Sequence, residues 1–325
     1  MIPRTARFFV LAVLAGLSLA VSRPAVAQRT WTTSAHLPTA REALAATTGQ
    51  DGIIYAIGGY KWVGLTRVPL NTMEAYDPGT DTWSTVASMP TARYSLAAAT
   101  GPDGRIYAIG GYNGGPLNTV ERYDPSTDTW TAVASMPTAR HGLGAATGTD
   151  GRIYAIGGDT AGGGQSTNAA EAYNPSTNSW TSVAPMPTAR IGPVLATALN
   201  GMIYATGGLT QPGLIIRNTN EAYNPSTDTW TSVASMPTAR WGLAAATGLD
   251  GTIYETGGNN FTSVLSTLEA YNPSTDSWTT VASMPTARSA LATAVGLDGT
   301  IYVIGGYYND GFAERTLSTV EAYTP

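Results

Sequence analysis

Six arginines recur along the chain at intervals of about fifty residues, each closing a Pro-Thr-Ala-Arg sequence: Arg41, Arg93, Arg140, Arg190, Arg240 and Arg288. Guanidinium groups free at one rim would bind an anion such as a carboxylate, or a sugar. Six glutamates keep the same period: Glu74, Glu121, Glu171, Glu221, Glu269 and Glu321. We favour the alternative that each Arg pairs with one of these Glu, because unpaired cations around a ring would repel one another.

Three more residues have the chemistry of a general acid or base, namely Glu255, His141 and Glu42. Glu255 stands out because its unit reads Ile-Tyr-Glu-Thr where the second and third units read Ile-Tyr-Ala-Ile. A carboxylate on such a strand either serves catalysis or pairs with an Arg of a neighbouring unit. We favour pairing.

Aromatic side chains stand near these positions and differ from unit to unit: Tyr60, Trp62, Tyr94, His141, Trp241 and Tyr307. Aromatic rings next to polar groups suit a carbohydrate ring or a peptide anchor. For any single member, ordinary loop packing is the alternative. We predict that these residues and the six arginines mark the ligand-binding face.

Metal and thiol chemistry have little support. The chain has no Cys and only two His, His36 and His141, so thiolate sites and Cys nucleophiles are excluded. A metal held by the two His would need carboxylates from elsewhere. The pair of carboxylates that a glycoside hydrolase uses is also not evident. We therefore predict no metal and no cofactor.

The elements that carry these residues are short strands. In the second unit we predict strands at 95–100, 105–109, 119–123 and 129–133. A Gly-Gly pair ends the second strand of each unit, and a Trp lies in the fourth. Asp-Gly or Asn-Gly separates the first two strands in all six units, as at Asp103-Gly104, which predicts a hairpin with a type I′ turn.

Gly-Gly after the second strand, then Glu-x-Tyr, Asp/Asn-Pro and a spaced Trp, in units of about fifty residues, resemble the kelch repeat. The resemblance covers the chain from Arg29 to Pro325 and implies an all-β fold, a six-bladed β-propeller with four-stranded antiparallel blades. The chain ends after a third strand (319–323) and begins with a lone fourth strand (29–33). We predict that the N-terminal strand completes the last blade and closes the ring.

Antiparallel strands sort the loops onto two faces. The Asp-Gly hairpins and the Asp-Pro-Ser-Thr-Asp turns share one, which we call the turn face. The Pro-Thr-Ala-Arg junctions and the loops after Gly-Gly share the other, the junction face. The units differ mainly on the junction face, and variation confined to one face of a repeat array indicates binding there.

Residues 1–27 are predicted to be a signal peptide, with Arg4 and Arg7 before an apolar run and Pro24-Ala-Val-Ala27 at the cleavage site. An uncleaved membrane anchor is the less favoured alternative. We expect residues 28–325 to form one exported propeller, periplasmic or extracellular and bacterial, monomeric and free of the membrane after cleavage. The formal net charge of −5 gives no reason to expect nucleic acid as a partner.

These residues and the kelch resemblance suggest two alternative functions. The first is a protein- or glycan-binding module that uses the junction face. The second is a carbohydrate-active enzyme on the same scaffold, because exported bacterial kelch propellers that are similar include sialic acid mutarotases. Glu42, His141 or Glu255 would then act as acid or base. Copper oxidases of the galactose oxidase kind need a Tyr–Cys cross-link, so the chain is not expected to be one.

Overall fold

The computed structural model describes residues 30–309 and 313–325, which form six four-stranded antiparallel sheets around an axis. Blades 1 to 3 comprise Ala45–Thr48, Ile54–Ile57, Met73–Asp77 and Thr82–Thr85; Ala97–Thr100, Ile106–Ile109, Val120–Asp124 and Thr129–Val133; Gly144–Thr147, Ile153–Ile156, Ala170–Asn174 and Ser179–Ser182. Blades 4 to 6 comprise Val194–Thr197, Ile203–Thr206, Asn220–Asn224 and Thr229–Val233; Ala244–Thr247, Ile253–Thr256, Leu268–Asn272 and Ser277–Thr280; Ala292–Val295, Ile301–Ile304, Val320–Thr324 and Thr30–Ser34. The predicted all-β six-bladed propeller is confirmed.

Three of the loops after Gly-Gly are themselves hairpins that rise from the junction face. They pair Tyr60–Val63 with Thr66–Pro69 in blade 1, Leu209–Thr210 with Ile215–Ile216 in blade 4, and Tyr307–Asn309 with Glu314–Thr316 in blade 6. The described part of the chain contains no helix that is long and apolar enough to cross a membrane.

The ring closes as predicted. Strand Thr30–Ser34 pairs antiparallel with Val320–Thr324, so that Trp31 lies opposite Tyr323. The first described strand is thus the outermost strand of the last blade. The predicted signal peptide, residues 1–27, lies outside the described residues.

The first hairpin of each blade forms, but its turn is not type I′. Of the two residues of this predicted turn in blade 2, Gly104 has a positive φ, of 75°, and Asp103 does not. The Gly104 amide donates to the Gly101 carbonyl at 3.1 Å, and Pro102 takes the second place of this four-residue turn, as type I turns favour. The prediction failed because it took the loop to be two residues long.

Strand ends also differ by one or two residues from the prediction. The first strand of blade 2 begins at Ala97 and not at Ser95, because Ser95 adopts a left-handed conformation with φ 49°. Its third strand runs one residue further, to Asp124. None of these shifts moves a side chain to the other side of its sheet, since the register is fixed by the buried residues.

The core lies between adjacent blades and has the same plan at each interface. Ile106 and Tyr123 of blade 2, for example, pack with Tyr55 and Ile57 of blade 1. The Tyr hydroxyls reach the turn face, where Tyr107 donates to Asp103 at 2.9 Å. Tyr107 therefore buries its ring while its polar end is satisfied by the turn aspartate.

The Trp of each fourth strand ties its blade to the one before. The indole Nε1 of Trp130 donates to the Ala87 carbonyl at 2.8 Å, and the turn residue Asp128 accepts from the Ala87 amide at 2.7 Å. The same indole bond recurs in every blade, from Trp31, Trp83, Trp180, Trp230 and Trp278. In blade 6 this bond runs from Trp31 to Ala282, across the closure.

Loss of the Trp31 side chain should therefore weaken the closure. We expect Trp31→Ala to lower the free energy of unfolding by about 2–4 kcal/mol, since both ring packing on Tyr323 and a hydrogen bond are lost. Trp31→Phe keeps most of the packing and should cost about 1 kcal/mol. Urea unfolding measures both. A Trp31→Ala protein as stable as the wild type would show that the closing strand contributes nothing.

The first strands line a central channel with small residues. Thr100 donates its hydroxyl to the Thr48 carbonyl, Thr147 to Thr100, Thr197 to Thr147, Thr247 to Thr197, and Thr48 to Val295, at 2.7–3.0 Å. Val295 interrupts this belt in blade 6 because it has no hydroxyl. The belt joins neighbouring blades around a cavity of about 290 Å³. These threonine hydrogen bonds were not predicted from the sequence.

Candidate functional site on the junction face

The residue after each Arg forms a β-bridge with the residue after Gly-Gly of the same blade. The six pairs are Glu42 with Tyr60, Tyr94 with Tyr112, His141 with Asp159, Ile191 with Leu209, Trp241 with Asn259, and Ser289 with Tyr307. The two segments that vary most along the sequence are thus brought together in every blade. Seven of these side chains reach the surface of the junction face, and five are buried: Glu42, Tyr60, Asp159, Leu209 and Ser289.

Backbone hydrogen bonds between neighbouring junctions fix these pairs around the axis. The next residue in each junction has a positive φ, as in Ala43 at 52° and Ser95 at 49°, and Gly takes this place in three blades. The Ser95 amide donates to the Ala43 carbonyl at 2.8 Å, and the Ala43 amide to the Ala290 carbonyl at 2.8 Å. Neighbouring junctions therefore hold one another in place.

The six arginines lie beneath this surface, fully buried and each ion-paired with the Glu of its own blade. The N···O distances are 2.8 Å for Arg41–Glu74, 2.6 Å for Arg93–Glu121, 2.7 Å for Arg140–Glu171, 2.7 Å for Arg190–Glu221, 3.2 Å for Arg240–Glu269 and 3.0 Å for Arg288–Glu321. Each of these six arginines is 0% exposed. None offers a guanidinium group to a ligand at the surface, and the structure agrees with the pairing alternative.

Each arginine also cross-links the backbone. Arg93 donates from Nη1 to the carbonyls of Gly110 and Thr119, at 2.9 and 2.8 Å. Its own carbonyl accepts from the Gly59 amide of the preceding blade at 2.9 Å, and a Cβ on Gly58 would lie only 2.6 Å from that carbonyl. Gly-Gly is therefore required where the arginine of the next blade docks. Desolvation lowers the pKa of Arg41 to about 10, which the charge of Glu74 opposes.

Four of the six predicted aromatic residues do come together. Neighbouring rings have centroids 5.8 Å apart for Trp62 and Tyr60, 5.1 Å for Tyr60 and Tyr94, 5.4 Å for Tyr94 and Tyr112, and 5.1 Å for Tyr112 and His141. We call these five residues, which span blades 1 to 3, the aromatic arc. Tyr94, Tyr112 and His141 are half-buried and Trp62 is exposed.

The other two predicted aromatic residues lie outside the arc. The Trp241 ring has its aromatic contact with Phe261, at 6.3 Å. Tyr307 accepts at its hydroxyl from Asn259 at 3.5 Å. Both are on the junction face, in blades 5 and 6. Ile191 of blade 4 separates Trp241 from the arc on one side, whereas on the other side blade 6 adjoins blade 1, and Thr316 of its hairpin donates to Glu42.

Glu42 lies at the blade 1 end of the arc and is fully buried. Its Oε1 accepts from Trp62 Nε1 at 3.0 Å and from the Thr316 hydroxyl at 3.1 Å. Its Oε2 has no hydrogen-bond partner among the described residues. Burial raises the pKa of Glu42, and the nearby charge of Glu314 adds to this against the hydrogen bonds from Tyr60, Thr316 and Trp62.

His141 lies at the other end of the arc, next to Asp159. Desolvation lowers its pKa, although the Asp159 charge acts in the opposite direction. The imidazole is therefore mostly neutral near pH 7. Within the described chain its Nδ1 is buried without a hydrogen-bond partner.

Glu255 does not belong to the aromatic arc. It is a core residue of blade 5 with 1% exposure. Desolvation raises its pKa to about 8, and the charges of Arg240 and Arg190 only partly oppose this. The predicted pairing of Glu255 with a neighbouring Arg is an electrostatic attraction of its carboxyl group by Arg240 and Arg190. The hydrogen bond from Arg240 goes to the backbone carbonyl of Glu255, at 3.0 Å.

Like Tyr112, Arg67 is a residue of this site that was not predicted from the sequence. It stands opposite Trp62 in the blade 1 hairpin, and its guanidinium carbon is 4.4 Å from the centroid of the Tyr60 ring. The signal was the long loop after the first Gly-Gly, whose turn residues Gly64-Leu65 would have predicted the pairing. Among the described residues no group of three His, Asp or Glu is placed to hold a metal ion.

Comparisons with known proteins agree with this architecture. The Kelch motif model matches residues 43–90 and 93–137. The model described as KLHDC2/KLHL20/DRC7 Kelch-repeats domain matches residues 144–322, more than half of the chain.

A curated relative is the influenza virus NS1A-binding protein homolog of Mus musculus, 40% identical over 70 residues, which are 21% of this chain and 10% of that protein. The match thus spans about a tenth of that relative's length. A kelch propeller of this kind is suited to act as a protein-binding module. The chain belongs to the kelch-repeat family.

Proposed function

We propose that the chain binds a protein partner through its junction face, with the aromatic arc as the anchor. The observation that carries this proposal is the distribution of apolar surface on that face. Trp62, Val63 and Leu65 of the blade 1 hairpin are 40%, 57% and 98% exposed. Exposed apolar groups beside half-buried aromatic rings and a polar rim are typical of protein interfaces.

Blades 4 and 5 extend this surface. Leu214 and Ile215 of the blade 4 hairpin are 57% and 48% exposed, and Phe261 of blade 5 is 55% exposed. The turn face also exposes three leucines, Leu199, Leu249 and Leu297, but only one in each turn. Its polar side chains are largely used by the turns themselves, as Asp103 is by Arg105 and Tyr107. Support for binding is therefore stronger on the junction face than on the turn face.

A photocrosslinker at position 65 is expected to capture a partner in the native host, and one at position 249 is not. Leu249 is the matched control because it is also an exposed leucine, 66% exposed, but on the turn face. The measurement is the yield of a discrete adduct after irradiation and affinity purification. Equal yields at both positions, or an adduct from position 249 alone, would contradict the proposal.

A glycan is the second candidate ligand, because the half-buried Tyr94 and Tyr112 rings lie between a carboxylate, Glu42, and an imidazole, His141. Of the three candidate acids and bases, His141 is half-buried, whereas Glu42 and Glu255 are both fully buried, so glycan binding has more support than catalysis. A glycan array tests binding, and sugar anomer exchange that is lost in His141→Ala tests catalysis.

We further propose that the protein works outside the bacterial cytoplasm. Support comes from the apolar run and small residues of positions 1–27 and from a chain without Cys. Mass determination of the protein from the periplasm would show whether residues 1–27 are removed.

A further inference from the structure

We propose that Tyr60, Trp62 and Tyr94 form a binding site for an organic cation, and that Arg67 of the same chain fills this site when no ligand is bound. The proposal rests on the junction face being the binding face, and it adds the chemistry of one group that the ligand must carry. It concerns the blade 1 end of the aromatic arc.

Three aromatic rings surround one cation there. The guanidinium carbon of Arg67 is 4.4 Å from the ring centroid of Tyr60, 5.2 Å from that of Trp62 and 5.4 Å from that of Tyr94. A cation within about 6 Å of a ring centroid is attracted by the negative face of the ring. The rings come from two blades, and Trp62 and Tyr94 both pack against Tyr60, so the cage has fixed walls.

A buried acid beside the cage is a second sign that this corner of the junction face suits a cation. Glu42 is 0% exposed, and its Oε2 accepts no hydrogen bond among the described residues. An unpaired carboxylate oxygen at this depth is costly. Glu314 of the blade 6 hairpin is near enough to act on Glu42 electrostatically, which makes this corner of the face attractive to positive charge.

Arg67 is placed to leave the cage. Its side chain is exposed and is held within the described chain by a hydrogen bond to Tyr94 but, unlike the six buried arginines, by no salt bridge. It lies on a hairpin whose tip residue, Leu65, is 98% exposed and so packs against little else. A cation–π contact at an exposed site is weak, so a ligand of similar chemistry can replace it.

The ligand group is a guanidinium or an alkylated ammonium, since both present a diffuse charge that aromatic cages hold. It comes from one of two sources, a small quaternary ammonium compound or an arginine or lysine side chain of a protein. Tetramethylammonium stands for the first source, and N-acetyl-argininamide for the second. Aromatic rings shift the proton resonances of a bound cation upfield, which NMR detects on the ligand itself.

We expect the Arg67→Ala protein to shift the resonances of at least one probe at millimolar concentration, with about tenfold higher affinity than the wild type. Removing Trp62 in addition, in Arg67→Ala/Trp62→Ala, should abolish the shift because one wall of the cage is lost. Arg315→Ala is the matched control: Arg315 is an exposed arginine on the blade 6 hairpin, and its loss should leave binding at the wild-type level.

Two results would overturn the proposal: no shift of either probe with Arg67→Ala, or an equal gain with Arg315→Ala. A shift of tetramethylammonium alone supports a small-molecule source, and a shift of N-acetyl-argininamide supports a protein side chain. This test needs no protein partner. A failed crosslink at position 65 would therefore count against protein binding while leaving the cation site to be judged by NMR.

Discussion

Replacing Arg140 by Met should lower the free energy of unfolding by about 3–5 kcal/mol, because it leaves Glu171 charged, buried and unpaired. The Arg140 side chain also donates to the carbonyls of Gly157, Ala169 and Ala155, at 3.2, 2.6 and 2.9 Å. All three carbonyls lose the arginine donor in the same change, although the Ala169 carbonyl still accepts from the Gly157 amide at 3.0 Å. The loss of hydrogen bonds to buried carbonyls adds to the cost. Urea unfolding monitored by tryptophan fluorescence gives the value.

The double variant Arg140→Met/Glu171→Met separates the charge from the hydrogen bonds. It should recover much of the lost stability, because an apolar pair can replace a buried ion pair at little cost. Arg152→Ala is the control, since Arg152 forms a 2.6 Å contact with Asp150 but is 30% exposed, and surface pairs contribute about 0–1 kcal/mol. Equal losses for Arg140→Met and Arg152→Ala would refute a structural role of the buried pairs.

The arginines also show what the sequence can and cannot predict. Their period, and that of the six glutamates, was sufficient to predict both the number of blades and the pairing within them, since each repeat must satisfy the same buried charges. Trp31 and Tyr323 likewise predicted the closure, because each supplies a strand that the other end of the chain lacks. Because these contacts repeat from blade to blade, the residues that make them can be recognised from their period in the sequence.

The candidate site could be predicted only in part, because its contacts do not repeat. Tyr60 and Tyr94 were found as variable aromatic residues, but the sequence does not show that Tyr112 joins them with His141 while Trp241 turns to Phe261. Arg67 was missed because its role depends on hairpin register. Glu255 was noticed as an exception to the repeat, yet its burial, which decides against direct catalysis, follows from packing between blades.

The second large expected effect is a loss of stability of the protein as pH rises, caused by Glu255. Its pKa is raised to about 8 by burial, compared with about 4.3 in an unfolded chain. The folded protein therefore holds a proton that the unfolded chain releases. Stability from this group is fully present below about pH 4.3 and declines as pH rises, until both states are ionised above about pH 8. The difference amounts to about 5 kcal/mol.

The groups around the carboxyl explain why it is not simply paired. Arg240 and Arg190 favour its ionised form, and Glu269, directly opposite in the sheet, disfavours it. Its Oε2 has no hydrogen-bond partner within the described residues. Blade 5 also has the longest Arg–Glu contact, 3.2 Å for Arg240–Glu269. A second carboxyl beside the Arg240–Glu269 ion pair cannot ionise without repelling Glu269.

Glu255→Gln should therefore be about as stable as the wild type near pH 4.5 and more stable by several kcal/mol near pH 8. The quantity to compare is the difference between the two proteins at each pH, because other carboxyl groups change with pH in both. Asp81, for example, has its pKa lowered chiefly by hydrogen bonds from the Ala35 amide and the Tyr76 hydroxyl. Its contribution to the stability of the protein is therefore lost on acidification. A difference that stays constant from pH 4.5 to 8 would show that Glu255 is already ionised in the folded propeller.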